Sequence, residues 1–220
     1  MFRRRSFLKS SSLIAGGLIL PKLSFKSKKL NQKKLKIAVV GCGGRGTGAA
    51  VQALRADNNV ELVTLADAFK DRLEASLNAI KDEFEGEMEI NIKEKNKFVG
   101  FDAYKKAIDK SDVVILASPP GFRPAHFEYA INKNKHVFME KPVATDAHGV
   151  RQVLNSARKA KEKNLNVVVG LQRRYQKSYL SAKKQIDRGI IGKIISAHVR
   201  WKSAGVWVKE REIIQTEMEY

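Results

Sequence analysis

The chain of 220 residues contains a single cysteine, Cys42, which excludes an internal disulfide. Its four histidines, His126, His136, His148 and His198, have no metal-ligand spacing with cysteine or acid, so the sequence offers no metal site. No apolar run approaches the roughly 20 residues of a membrane-spanning helix. Leu13 to Leu20 is short and is diluted by Gly16 and Gly17. No segment repeats at the periods of solenoids. Acids are absent from residues 1–36, which hold eleven Lys and Arg; the remainder of the chain carries only +8 of the total +19. Much of the positive charge therefore belongs to a basic leader. No basic stripe interleaved with aromatics follows it, and a nucleic-acid partner is not expected.

The leader has a pattern of its own. Arg4-Arg5-Ser6-Phe7-Leu8-Lys9, followed by the short apolar stretch, resembles a twin-arginine export signal. The Lys-rich residues after it look like a flexible linker, without a clean small-x-small cleavage site. Residues 1–34 are thus expected to be signal and linker. The expected location is periplasmic or otherwise exported, with the twin-arginine machinery as a partner and no stable membrane span.

Hydrophobic residues make up 43% of the chain, enough for a packed core. Apolar β-branched runs at Leu35–Val40, Val60–Ala66, Val113–Ala117, His136–Met139 and Val167–Val169 alternate with helical patterns. The helices are expected at Thr47–Ala56, Phe69–Phe84, Asp102–Ile108 with Asp102 as N-cap, Pro124–Asn132, and a segment with Val150, Val153, Leu154, Ala157 and Ala160 on its buried face. Residues Gly86–Lys97 are polar and are expected to form a surface insertion. Strands apolar on both faces, separated by helices, call for an α/β fold: a Rossmann doubly wound parallel sheet over residues 35–172. From residue 173 the pattern changes. A helix near Ser178–Arg188 and an alternating strand at Lys193–Trp201 predict the start of an α/β second domain with a mostly antiparallel sheet. One strand and one helix cannot bury a core, so the chain is expected to be part of a longer protein.

Gly41-Cys42-Gly43-Gly44-Arg45-Gly46 matches G-x-G-x-x-G directly after a strand and at the opening of a helix. An acid, Asp67, ends the second strand 21 positions after Gly46. In that context the motif is a dinucleotide fingerprint. The glycines give a tight turn, close approach of backbone to pyrophosphate, and close helix–strand packing. Asp67 suits a ribose diol and disfavours a 2′-phosphate, so NAD is expected, with NADP less favoured; an ordinary N-cap role is the alternative. Between two glycines, Cys42 reads as a small side chain that fits the loop, not as a reactive thiol. Ser118-Pro119-Pro120 and Glu140-Lys141-Pro142 end further strands on the edge where open α/β sheets bind ligands. Lys141 can hydrogen-bond a substrate hydroxyl and stabilise developing alkoxide charge; the plain alternative is a solvated loop. His126, near the same edge, stays undecided.

With Gln172-Arg173-Arg174-Tyr175 completing the order of motifs, the chain from about Lys36 resembles the Gfo/Idh/MocA oxidoreductases. The resemblance implies an NAD(P)-dependent oxidoreductase that moves a hydride between nicotinamide and a sugar, polyol or related carbohydrate, homo-oligomeric at full length. It implies that Lys141 contacts nicotinamide ribose and substrate, and that Gln172 and Arg173 lie near the nicotinamide. Three extra residues precede His126 relative to the family. The resemblance also implies a catalytic histidine, often with an aspartate four residues before it, in the second domain; no such pair precedes Tyr220, so the base is expected beyond it and this stretch alone is expected to be inactive. Two other readings stay open: an NAD-dependent glycosidase using transient sugar oxidation, and a dinucleotide-binding protein without catalysis.

Overall fold

The structure is a computed structural model that describes residues 33–202 and 216; the twin-arginine segment lies outside the described residues. Predominantly apolar stretches form β1 (Leu35–Val40), β2 (Val60–Asp67), β4 (Val113–Leu116), β5 (His136–Met139) and β6 (Val167–Val169). Between them lie α1 (Gly44–Ala56), α2 (Lys70–Glu83), the short β3 (Lys97–Val99), α3 (Ala103–Asp109), α4 (Arg123–Asn132) and α5 (Ala147–Glu162). All strand pairs are parallel, in the order β3-β2-β1-β4-β5-β6. Strand order reverses between β1 and β4, and the carboxyl edge of the sheet at such a switch point is where open α/β sheets bind ligands.

Side-chain alternation along β1 divides the core. Ile37 and Val39 pack with Ala49, Leu54, Leu73, Leu77 and Ile80 on one face. Ala38 and Val40 pack with Val114, Leu116, Phe127, Ile131 and Met139 on the other. Each face is covered by helices, which is why the strand interiors are mostly apolar.

Several expectations need correction. The polar stretch Gly86–Lys97 is irregular and mostly exposed, as expected, but it is anchored: Ile90 and Ile92 are buried, Thr64 Oγ1 donates to the Asn96 carbonyl at 2.7 Å, and its last residue, Lys97, opens β3 beside β2. Backbone pairing at a sheet edge outweighs the polar composition. Asp102 is the N-cap of α3, as expected, but its side chain makes no capping hydrogen bond; the carboxylate pairs with Lys105 at 2.7 Å instead. On α5 the buried stripe is Gly149, Val153, Ser156 and Ala160, while Val150 and Leu154 are exposed. A Cβ on Gly149 would lie 3.0 Å from Pro124 Cγ, so small residues let the helix approach its neighbour and larger apolar ones turn outward.

The chain divides into two compact units after Gly170, two residues before the expected boundary. The second unit contains a 3₁₀ turn, Gln172–Arg174, and α6 (Lys177–Asp187). Residues 193–201 form no strand among the described residues; Ile195 and Val199 are 94% and 93% exposed. A strand is defined by its pairing partner, and these residues have none there.

Candidate active site

The glycine loop is shaped by two close approaches. Gly41 has φ +95°, and a Cβ on it would lie 2.4 Å from Ser118 N, so β1 ends tightly against the start of the Ser-Pro-Pro loop. A Cβ on Gly46 would meet the Gly41 carbonyl oxygen at 1.9 Å. Gly43 and Gly44 are the opposite case: a Cβ on either would meet nothing within 4 Å. Gly43 is the N-cap of α1 and offers no side chain to its first N–H groups. The amino end of α1 therefore presents unsatisfied donors and a partial positive charge to open space. That is the cradle a pyrophosphate needs, and the residues present fit a dinucleotide.

Asp67 closes the loop from β2. One carboxylate oxygen accepts Cys42 N–H at 2.6 Å and the other accepts Phe69 N–H at 3.0 Å. Phe69, not Asp67, is the N-cap of α2. An ionised carboxylate has about four acceptor positions, so two backbone donors leave capacity for a ribose diol. Cys42 is buried. Desolvation, aided by the Asp67 charge, pushes its thiol up to about 12, and its sulfur faces the Ala66 carbonyl at 3.5 Å. It is a packing residue, inert at neutral pH.

At the end of β4, Ser118 is buried and its hydroxyl shares a hydrogen bond of 3.0 Å with His126 Nδ1. His126 stacks on Tyr104 with ring centroids 4.0 Å apart. Burial, with the Arg123 charge second, pushes His126 down to about 4. Burial thus favours its neutral form, and its ring nitrogen holds the Ser118 hydroxyl.

Arg123 is the site residue that motif reading missed. It is 3% exposed, and its guanidinium donates to three main-chain carbonyls: Ser118, Glu140 (2.7 Å) and Pro142. It thus joins the loops after β4 and β5. A second link runs from the glycine loop: Arg45 Nε donates to the buried Glu140 carboxylate at 2.7 Å. With Gly41 against Ser118, the loops after β1, β4 and β5 form a closed ring of contacts. On this ring Lys141 is exposed, followed by a cis bond to Pro142, and none of the described residues holds its ammonium.

Gln172 and Arg173 lie in the second unit. Arg173 donates to Gln176 at 2.7 Å and covers the rings of Tyr179 and Trp201. Gly41 to Gly46, Asp67, Ser118, Pro119, Glu140 and Lys141 all fall at the carboxyl edge of the first unit's sheet. Among the described residues no three His, Cys, Asp or Glu side chains gather as a metal site, and no helix is long and apolar enough to cross a membrane.

A six-stranded parallel sheet with this strand order, a glycine loop opening a helix, and an acid ending β2 define a dinucleotide-binding Rossmann unit. Comparison with known proteins places it more closely. Residues 35–170 match the Gfo/Idh/MocA family, described as an oxidoreductase family with an NAD-binding Rossmann fold, and the chain belongs to that family. It is 30% identical over 173 residues to an inositol 2-dehydrogenase of Salmonella typhimurium, a match that takes in 77% of this chain and 46% of that protein. The crystal structure of myo-inositol 2-dehydrogenase from Lactobacillus plantarum superposes with a TM-score of 0.57 at 31% identity, covering 74% of this chain and 44% of that one. A scyllo-inositol dehydrogenase from Lactobacillus casei, solved with NAD(H) and scyllo-inositol bound, gives 0.57 at 26% identity, covering 73% and 43%. The chain spans about half the length of the curated relatives it matches.

Proposed function

We propose that the full-length protein is an exported, NAD-dependent dehydrogenase of a polyol or sugar, with a secondary alcohol of a cyclic polyol such as inositol as the site of oxidation. The observation that carries this reading is the position of Lys141. Its ammonium, held by none of the described residues, stands on a braced loop at the same sheet edge as the open glycine cradle and the Asp67 carboxylate. The inositol dehydrogenases among its relatives support the substrate class.

The amino end of α1, at Gly43 and Gly44, would hold the pyrophosphate, and Asp67 the adenosine ribose. When bound, NAD supplies the hydride acceptor. Asp67 favours NAD over NADP. A phosphate charge about 4 Å from a carboxylate costs roughly 4 kcal/mol at an effective dielectric of 20. Lys70 and Arg72, in the first turn of α2, would offset part of this, and the nearer carboxylate would still prevail. Lys141 would donate a hydrogen bond to the substrate oxygen and stabilise its negative charge as the carbon is oxidised. His126 is not the base: it is buried, neutral and committed to Ser118. Gln172 and Arg173 are assigned to the nicotinamide side, and the general base to the second domain. The Arg4-Arg5 leader is assigned to export through the twin-arginine machinery.

The test is NADH formation by the full-length protein with a panel of inositols and sugars, beside calorimetry with NAD and NADP. NADH appearing with at least one polyol and tighter binding of NAD are expected. Glycoside cleavage without net NADH, or tighter binding of NADP, would overturn the reading.

A further inference from the structure

We infer that Arg123 is a positioning residue for Lys141, carried on the Gly121-Phe122-Arg123 stretch that precedes His126. The inference rests on the role of Lys141 given above. A lysine ends in a point charge on a flexible four-carbon stem, so its aim depends on how firmly its main chain is held. Arg123 supplies that hold. One nitrogen, Nη1, donates both to the Glu140 carbonyl at 2.7 Å and to the Pro142 carbonyl, the two residues that flank Lys141. Its other terminal nitrogen, Nη2, reaches the Ser118 carbonyl on the loop after β4. The spacing between the loop that carries Lys141 and the loop that borders Gly41 is therefore set by one planar group.

Two further braces converge on the same segment. Glu140 is pinned through its carboxylate by Arg45 of the glycine loop at 2.7 Å. It is also wedged against Gly170 at the end of β6, where a Cβ would lie 2.7 Å from Glu140 Oε1. A solvated loop has no need of such bracing. The guanidinium is more than a space filler: it supplies donors to three carbonyls that an apolar side chain would leave without one. Arg123 Nε is buried without an acceptor, and an apolar side chain of similar volume fills such a place without that unmet donor. What an apolar side chain cannot do is fix three carbonyls of two different loops.

The experiment uses full-length Arg123→Met and Arg123→Lys, with two readouts. The first is backbone ¹⁵N order parameters at Lys141, Val143 and Ala144, with Val39 and Leu65 as core references. The second is steady-state kinetics with NAD and myo-inositol as the probe polyol. In Arg123→Met the order parameters at 141–144 should fall from about 0.85 towards 0.6 or below while Val39 and Leu65 stay rigid. Turnover should drop about 10²-fold, as for an ångström-scale misplacement, with KM values changed less than about threefold. Arg123→Lys should recover part of both, because an ammonium can reach some of the carbonyls but lacks the fork. Unchanged order at 141–144 in a folded Arg123→Met would overturn the inference; so would a loss confined to KM. If Arg123→Met does not fold, Arg123→Lys decides by the same readings. Absence of myo-inositol oxidation by the wild type bears on the proposed substrate, and the order parameters then decide the positioning role independently.

Discussion

Replacing His126 with phenylalanine removes the most strongly perturbed histidine of the Rossmann unit while keeping a ring to stack on Tyr104. In the native state burial pushes His126 from 6.5 down to about 4. The unfolded chain therefore takes up a proton below pH 6.5 that the folded chain refuses. The sign follows: this contribution to stability is fully present above pH 6.5, is lost as pH falls towards 4, and then levels off as both states become protonated. The full difference is about 3 kcal/mol, and of this ~2.5 kcal/mol is lost between about pH 7.5 and 4.5. Carboxylates titrate in the same region, so the readout is the difference between two curves. Urea unfolding of the full-length protein, followed by far-UV circular dichroism across this range, should show a steeper acid loss in the wild type than in His126→Phe. The variant should lose a further 1–3 kcal/mol or so at every pH, because the buried Ser118 hydroxyl has lost its partner. That offset moves the curve without changing its slope. Parallel curves for the two proteins would refute the assignment of His126 as a buried neutral histidine.

The glycine loop separates folding from binding. Gly43→Ala should leave the melting temperature within about 1 °C, since its Cβ meets open space, yet weaken NAD at least about tenfold by calorimetry. Gly46→Ala should destabilise the unit by several kcal/mol in urea, because its Cβ falls on the Gly41 carbonyl. Equal effects of the two substitutions on stability would contradict this division. Asp67→Ala should narrow the preference for NAD over NADP measured by calorimetry, and an unchanged ratio would remove Asp67 from cofactor choice. Replacing Arg4 and Arg5 with lysine in a reporter fusion should retain the reporter inside the cell, whereas continued export would rule out the twin-arginine address.

How much of this was legible in the sequence depended on the range of the interactions. Strands β5 and β6 fall on the expected residues because short apolar runs, Val137-Phe138-Met139 and Val167-Val168-Val169, stand out between helical patterns. The fingerprint and Asp67 were legible because the turn needs particular residues at particular spacings. β3 was missed because Lys97-Phe98-Val99 is short, and its partner on β2 supplies what its own composition does not. The face of α5 was only partly legible: Val153 and Ala160 are buried as expected, but hydrophobicity ranks Val150 and Leu154 above Gly149 and Ser156, which closeness of approach selects. Arg123 was invisible to motif reading for a related reason. Its partners are carbonyl oxygens, which every residue has, so nothing in the side-chain pattern marks them.

The proposed chemistry turns on Lys141, and turnover of Lys141→Ala in the full-length enzyme tests it most directly. NADH formation is followed with the polyol that the wild type oxidises, and NAD binding is measured on the same preparation. A fall in turnover of about 10²–10³-fold is expected, with NAD affinity little changed, because the donor acts on the reacting oxygen while the glycine loop holds the dinucleotide. Lys141→Arg should restore only part of the rate, since a planar fork does not replace a compact charge. Near-normal turnover of Lys141→Ala would make the lysine a solvated loop residue and contradict the proposed mechanism.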